Sequence, residues 1–241
     1  MLHAKRLFWV VSSLVFLVSN LGHAATLTGT VKFEGKAPEP KTIATSADPV
    51  CQKAHAKPLL SETLVVGAGN GMGNVFVRVK SGLPAGQKFE APKTPVVLDQ
   101  KGCQYFPHVI GIMVGQSLLV KNSDPTLHNV HSMSKVNPGF NLAMPATVKE
   151  KSKLFTKSEA IFPIKCDVHP WMQAYVGVME NPFYAVTATD GKFTINNLPA
   201  GTYEIEAWHE HPKLGVKSAS VTVSAVDSKV VDFSYSAPTG N

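Results

Sequence analysis

The sequence predicts an all-β protein. Short β-prone runs recur at residues 26–33, 75–79, 109–114, 118–120, 175–178, 201–208, 216–223 and 230–235. Clusters of Gly, Pro, Asn and Asp separate them at the spacing of a sandwich or barrel. Past the N-terminal apolar stretch, no window sustains a helical period over several turns.

Taken in order, the elements begin with a leader. Lys5 and Arg6 precede a mostly apolar run from Leu7 to Leu21, and Gly22-His23-Ala24 supplies small residues for cleavage, the pattern of a secretory signal peptide over residues 1–24. Its alternative as a membrane anchor is disfavoured by the interrupting Ser12, Ser13, Ser19 and Asn20. No later stretch is long and apolar enough to span a bilayer, so the expected mature protein is periplasmic or secreted, with no membrane span. Removing the leader lowers the formal charge from +6 to +4. Scattered lysines without an arginine cluster or recognised motif exclude nucleic acid as a partner, and the mild positive balance favours an anionic one.

The region 25–91 opens on an alternating Thr- and Val-rich strand at 26–33. One short helix is predicted at 49–56, with Asp48 as its N-cap and Pro49 at its first position. The glycine-rich run 66–73 lacks the Lys-Ser/Thr ending of a phosphate cradle and reads as a surface turn. Asn181-Pro182 closes the central region, Thr189-Asp190-Gly191-Lys192-Phe193 reads as a hairpin turn, and 197–201 as another turn.

The chemistry concentrates in Cys166-Asp167-Val168-His169-Pro170-Trp171-Met172, which gathers a thiolate, an imidazole and a thioether in one loop. A second imidazole is available in Leu127-His128-Asn129-Val130-His131. Two His, one Cys and a weak axial Met are the ligand set of a blue-copper electron-transfer site, serving Cu(I) and Cu(II) without large reorganisation. His128 and His131 are three apart and point to opposite faces of a strand, so only one reaches the ion. His128, at the strand end, is preferred, and His131 is expected at the surface. Zinc would accept a Cys-x-x-His pair but rarely employs Met. Met133, Met144 and Met179 are assigned to core or surface.

Three cysteines in an exported chain leave one over. With Cys166 in the ligand loop, Cys51 and Cys103 either form a disulfide, as the compartment favours, or join His55 and His108 in a second metal site. The pair His209 and His211 would share a strand face and is read as solvated in preference to ligating.

The runs Val120-Lys121-Asn122-Ser123-Asp124, Leu127 to His131, Gln104-Tyr105-Phe106-Pro107, Val114-Gly115-Gln116 and the Cys166 loop together resemble the cupredoxin family, closest to its amicyanin- and plastocyanin-type members. The resemblance covers residues 92–182. It implies a Greek-key sandwich binding one type 1 copper through His128, Cys166 and His169, with Met172 axial. It further implies that the Asn129 backbone N–H donates to the sulfur and that the exposed His169 edge, bordered by Pro170 and Trp171, is the electron exit. Residues 183–236, with Thr189 to Ile195 and Leu198 to Ile205, resemble a carboxypeptidase-regulatory-like, transthyretin-like sandwich, a group of accessory modules sometimes classed as carbohydrate-binding-like. Leu27 to Phe33 and Asn74 to Val77 resemble its early strands, which implies a discontinuous module with the copper domain inserted.

The leading expectation is a carrier of single electrons between redox partners, such as a c-type cytochrome or periplasmic oxidoreductase, and not an enzyme. The alternatives are copper capture or delivery, which would call for exposed Met or His tracts, and an interaction module whose copper site is lost.

Overall fold

The structure is a computed structural model and describes residues 24–237. All of the predicted leader except Ala24 lies outside the described residues. Among the described residues no helix is long and apolar enough to cross a membrane.

The chain opens with β1 (Ala25–Glu34), β2 (Thr42–Ile43), α1 (Pro49–Lys53), β3 (Leu59–Leu60) and β4 (Phe76–Ser81). A central run follows: β5 (Val96–Gln100), β6 (Tyr105–Phe106), β7 (Val109–Met113), β8 (Ser117–Asn122) and β9 (His128–Ser132). It continues through β10 (Asn141–Met144), β11 (Glu150–Leu154), β12 (Glu159–Lys165) and β13 (Gln173–Met179). The chain closes with β14 (Tyr184–Val186), β15 (Lys192–Leu198), β16 (Gly201–Trp208), β17 (Val216–Val223), β18 (Ser228–Val230) and β19 (Phe233–Ser236).

These strands build two sandwiches. In the central one, the sheet β10-β9-β12-β13-β7 faces the sheet β11-β8-β5-β6. Leu98, Ile112, Leu118, Val120, Val130, Ile164 and Val176 fill the space between them, because alternate side chains of each strand turn inward. The outer sandwich pairs β14-β4-β16-β17 with a sheet centred on β1, which carries β15 on one edge and β18 and β19 on the other. Leu27, Val31, Phe33, Val77, Phe193, Ile205 and Phe233 form its core. The N-terminal strand thus lies among C-terminal strands, and residues 96–179 fold as a separate unit between them.

Two features of the outer sandwich differ from the sequence reading. Thr189 to Phe193 is a turn, with Gly191 at φ +76°, but it joins β14 to β15 in opposite sheets and is not a hairpin. The run 230–235 is not one strand: β18 pairs with Thr26–Thr28 and β19 with Val31–Glu34, with a break between them. At that break the Asp232 carboxylate accepts the Thr30 amide at 2.7 Å.

The sandwiches meet through a small apolar cluster. Phe76 and Tyr184 stack with centroids 5.6 Å apart and lie on the outer face of β7 and β13. Gly111 and Gly177, paired in register there, make the socket. A Cβ on Gly111 would stand 2.3 Å from the Tyr184 ring, too close for any other residue.

Beside this interface His209 is 2% exposed, and its Nδ1 accepts the His211 amide at 3.0 Å. Burial is the main cause that pushes its pKa down from 6.5 to about 4. Between those values the unfolded chain binds a proton that the fold does not, so stability falls as pH falls through that window. The His209→Asn variant, which keeps an acceptor, should lose about 2 kcal/mol less than the parent between pH 7 and 4.5 in urea unfolding. An equal loss in both proteins would show that His209 is not the sensitive group.

Candidate metal centre

The loop between β12 and β13 closes on itself. The Cys166 amide donates to the Met172 carbonyl at 3.1 Å, and the Met172 amide to the His169 carbonyl at 2.9 Å. The His169 amide in turn faces Cys166 Sγ at 3.3 Å. This brings Cys166 and His169 against His128, the first residue of β9, whose side chain is fully buried. His128 Nδ1 lies 2.9 Å from His169 Nδ1, and Cys166 Sγ lies 3.9 Å from the latter. Ligand atoms of all three residues fall within 4.8 Å of one another.

Two ligand atoms sharing one ion through bonds of about 2.0 Å stand about 3.3–3.6 Å apart. The observed separations bracket that value, so the donor set fits a transition metal with little rearrangement. Met172 is buried in the same core cluster, on the loop that carries Cys166 and His169.

Each imidazole is held from behind by a carboxylate. His128 Nε2 is 2.9 Å from Asp124 Oδ2, and His169 Nε2 is 3.0 Å from Asp48 Oδ2. A ring that gives its Nε2–H to a carboxylate presents the Nδ1 lone pair to a metal, and the carboxylate raises its basicity. Asp124 also accepts the Gly102 and Cys103 amides at 2.7 and 2.8 Å. Those residues form a two-residue hairpin turn between β5 and β6, with φ of +62° and +54°, which aims both amides at one carboxylate. Asp48 caps α1 through the Val50 amide at 2.7 Å, as the sequence predicts, and accepts the Thr126 hydroxyl at 3.1 Å.

Burial pulls the His128 pKa down, but hydrogen bonds to Asp124 and Cys166 outweigh it and raise it to about 9. Burial pushes the Cys166 thiol up, but the His128 side chain and the Asn129, His169 and Val168 amides outweigh it and lower its pKa. Protons and metal ions compete for the same atoms, and a lowered thiol favours the thiolate that a metal needs. The Asn129 side chain braces the loop from beneath, accepting the Asp167 amide at 2.7 Å and donating to the Asn141 side-chain Oδ1 at 2.7 Å. Tyr105 donates to the Asn129 backbone carbonyl.

Other residues raised by the sequence fall outside this cluster. His131 pairs with the Asp167 carboxylate at 3.1 Å near the surface. Cys51 and Cys103 are joined in a disulfide, so they form no second site with His55, whose Nε2 bonds the Gly102 carbonyl at 2.7 Å, or with His108. His209 is buried where a solvated side chain was expected, and His209 and His211 each accept a backbone amide on Nδ1.

The expected exposed edge of His169 is corrected by the structure. His169 is 2% exposed, because α1 and its disulfide lie over it, with Cys51 Sγ 3.5 Å from Nε2. Asp48, Asp124 and the disulfide's place beside the ligands were not visible in the sequence. Asp48 had a sufficient local role as a helix cap, and Asp124 one as a turn residue.

A family model for domain II of polysaccharide lyase family 4 matches residues 162–231. No curated protein sequence matches the chain. Among solved structures, a Cu(I) form of a methionine variant of amicyanin is 20% identical with a TM-score of 0.32, over 43% of this chain and 98% of its own. An oxidised proline variant of amicyanin is 22% identical with a TM-score of 0.33 over the same shares. The copper-containing nitrite reductase from Thermus scotoductus SA-01 is 22% identical with a TM-score of 0.32, over 42% of this chain and 26% of its own. Likeness at this level carries no functional argument; the ligand geometry carries it.

Replacing His128 with Ala should abolish tight metal binding, whereas His131→Ala should leave it unchanged in equilibrium dialysis. Asp124→Asn should weaken binding about 10- to 100-fold, the usual cost of losing a carboxylate behind a ligating imidazole. Binding that survives His128→Ala would refute the ligand assignment.

The disulfide closes a loop of 52 residues, which restricts the unfolded chain by on the order of 4 kcal/mol. Cys51→Ala/Cys103→Ala should therefore lower the urea midpoint and also loosen the metal, since α1 would lose its tether over His169. Loss of stability with unaltered metal affinity would separate the two roles.

Proposed function

We propose that the central sandwich is a cupredoxin-like copper domain binding one type 1 copper, and that it carries single electrons without making or breaking bonds. The convergence of His128 Nδ1, Cys166 Sγ and His169 Nδ1 in a buried pocket supports this reading above all else. One thiolate with two imidazoles selects copper over magnesium or calcium, and a thioether as weak fourth ligand distinguishes a blue-copper set from a structural zinc set. Met172 is assigned that axial place.

Closure of the site favours electron carriage over copper delivery. An ion handed to another protein needs a mobile, accessible ligand, and here both imidazoles are buried with carboxylates behind them. An electron needs only a short path. The Trp171 ring lies 5.0 Å from the His169 ring and is partly exposed, and its Nε1 donates to the Cys103 carbonyl at 3.1 Å. We assign the exit to Trp171, facing a periplasmic protein partner such as a c-type cytochrome. The outer sandwich serves as an accessory module that carries the copper domain on its Phe76–Tyr184 face.

Protein loaded with Cu(II) should show an intense visible thiolate-to-copper band that vanishes on reduction and is absent in Cys166→Ser. A colourless tetragonal spectrum would end the blue-copper reading. Trp171→Glu should slow bimolecular electron exchange at least tenfold while leaving that band in place. An unchanged rate would move the exit to the rim, where Leu127 and Val168, each adjacent to a ligand, are exposed.

A further inference from the structure

The cleft beside Trp171 holds another histidine in the same local arrangement as the two proposed ligands. A cavity of about 160 Å³ opens there between the sandwiches, bordered by Glu62, Gln104, His108, Trp171, Gln173 and Glu210. His108 is 7% exposed, and its Nε2 is hydrogen-bonded to the nearly buried Glu210 carboxylate. Its Nδ1 is buried and has no hydrogen-bond partner. The Glu62 carboxylate stands 3.6 Å from that nitrogen, beyond hydrogen-bond reach. Gln104 Nε2 donates to the same carboxylate oxygen at 3.2 Å and fixes it in place.

The chemistry of this arrangement calls for a cation. An imidazole that gives its Nε2–H to Glu210 carries its lone pair on Nδ1, and that lone pair faces another acceptor across 3.6 Å. With no donor or cation between them, the buried Nδ1 is left unsatisfied, at a cost of about 1–3 kcal/mol. The spacing is also that of two donors sharing one ion through bonds of about 2.0–2.1 Å.

We propose that His108 Nδ1 and the Glu62 carboxylate form a second metal site, for a divalent cation of zinc-like softness, with Glu210 orienting the histidine and cavity water completing the shell. The site shares no ligand with the copper centre. Its donors are nitrogen and oxygen, which suit zinc and leave out the thiolate that the copper centre offers. Burial lowers the His108 pKa, but the Glu210 hydrogen bond, both carboxylates and the Gln173 carbonyl outweigh it and raise it. The same field that holds a proton there attracts a metal, and metal binding displaces that proton.

The test is equilibrium dialysis of the Cys166→Ser protein against zinc chloride at pH 7.5, with elemental analysis. The zinc lost on adding a second substitution is what counts. Adding His108→Ala should remove one zinc per chain. Adding Glu62→Gln, at a side chain one-third exposed and therefore tolerant of change, should weaken that zinc at least tenfold. Glu210→Gln should weaken it 10- to 100-fold by releasing the ring. If Cys166→Ser binds no zinc, or if His108→Ala and Glu62→Gln leave its zinc content and affinity unaltered, His108 is simply an imidazolium bridging two carboxylates and the proposal falls. The visible copper band of wild-type protein is read separately, so failure here leaves the copper assignment standing.

Discussion

The centre depends on two carboxylate–imidazole hydrogen bonds, one local in the sequence and one long-range, that lie close together in space. Asp124 and His128 are four residues apart, and their bond ties the first ligand to the β5–β6 turn that carries Cys103. Asp48 and His169 are 121 residues apart, and theirs ties the second ligand to α1. The Cys51–Cys103 disulfide then joins the two supports to each other. Ligand orientation, helix capping and chain cross-linking are therefore one connected structure. A buried histidine without such a partner could turn its ring or choose either tautomer, and the lone pairs would not converge.

How much of this was legible depended on distance along the chain. The Cys166 loop could be read because its three candidate donors lie within seven residues. Strands β16 and β17 could be read because Tyr203, Ile205 and Ala207, and Ala219, Val221 and Val223, alternate with polar residues. By contrast, β11 reads Glu-Lys-Ser-Lys-Leu and lies on the edge of its sheet. Edge strands carry charge that blunts unwanted pairing, so their composition resembles a loop. The break at Val231-Asp232 was hidden for another reason: Asp232 satisfies an amide of β1, a strand about two hundred residues earlier. The 189–193 turn was legible as a turn, but no local signal tells a hairpin from a crossing between sheets.

The outer sandwich constrains the central sandwich at two places. At the Gly111–Gly177 socket, Phe76 and Tyr184 press directly on the backbone of β7 and β13. At the rim, Glu210 follows β16 and reaches His108 of the inner domain. The first contact is apolar and fixes the two bodies by shape. The second is charged and sits in the cleft beneath Trp171. A ligand in that cleft would touch the inner domain, the outer domain and the segment between β3 and β4 at once, so its binding would report on how all three are held.

This arrangement also accounts for His169 being covered where an exposed edge was expected. The segment 42–60 lies between two strands of the outer sandwich, β1 and β4, yet its helix packs through Cys51 into the inner core. Once it lies there, the His169 edge is no longer available to a partner, and the nearest partly exposed aromatic ring is that of Trp171. Covering the imidazole lowers the dielectric around the site and keeps water from the ligands, which strengthens every charge interaction among them. The cleft beside that ring is bordered by Glu62, which is one-third exposed, and by Glu210, which is nearly buried against His108.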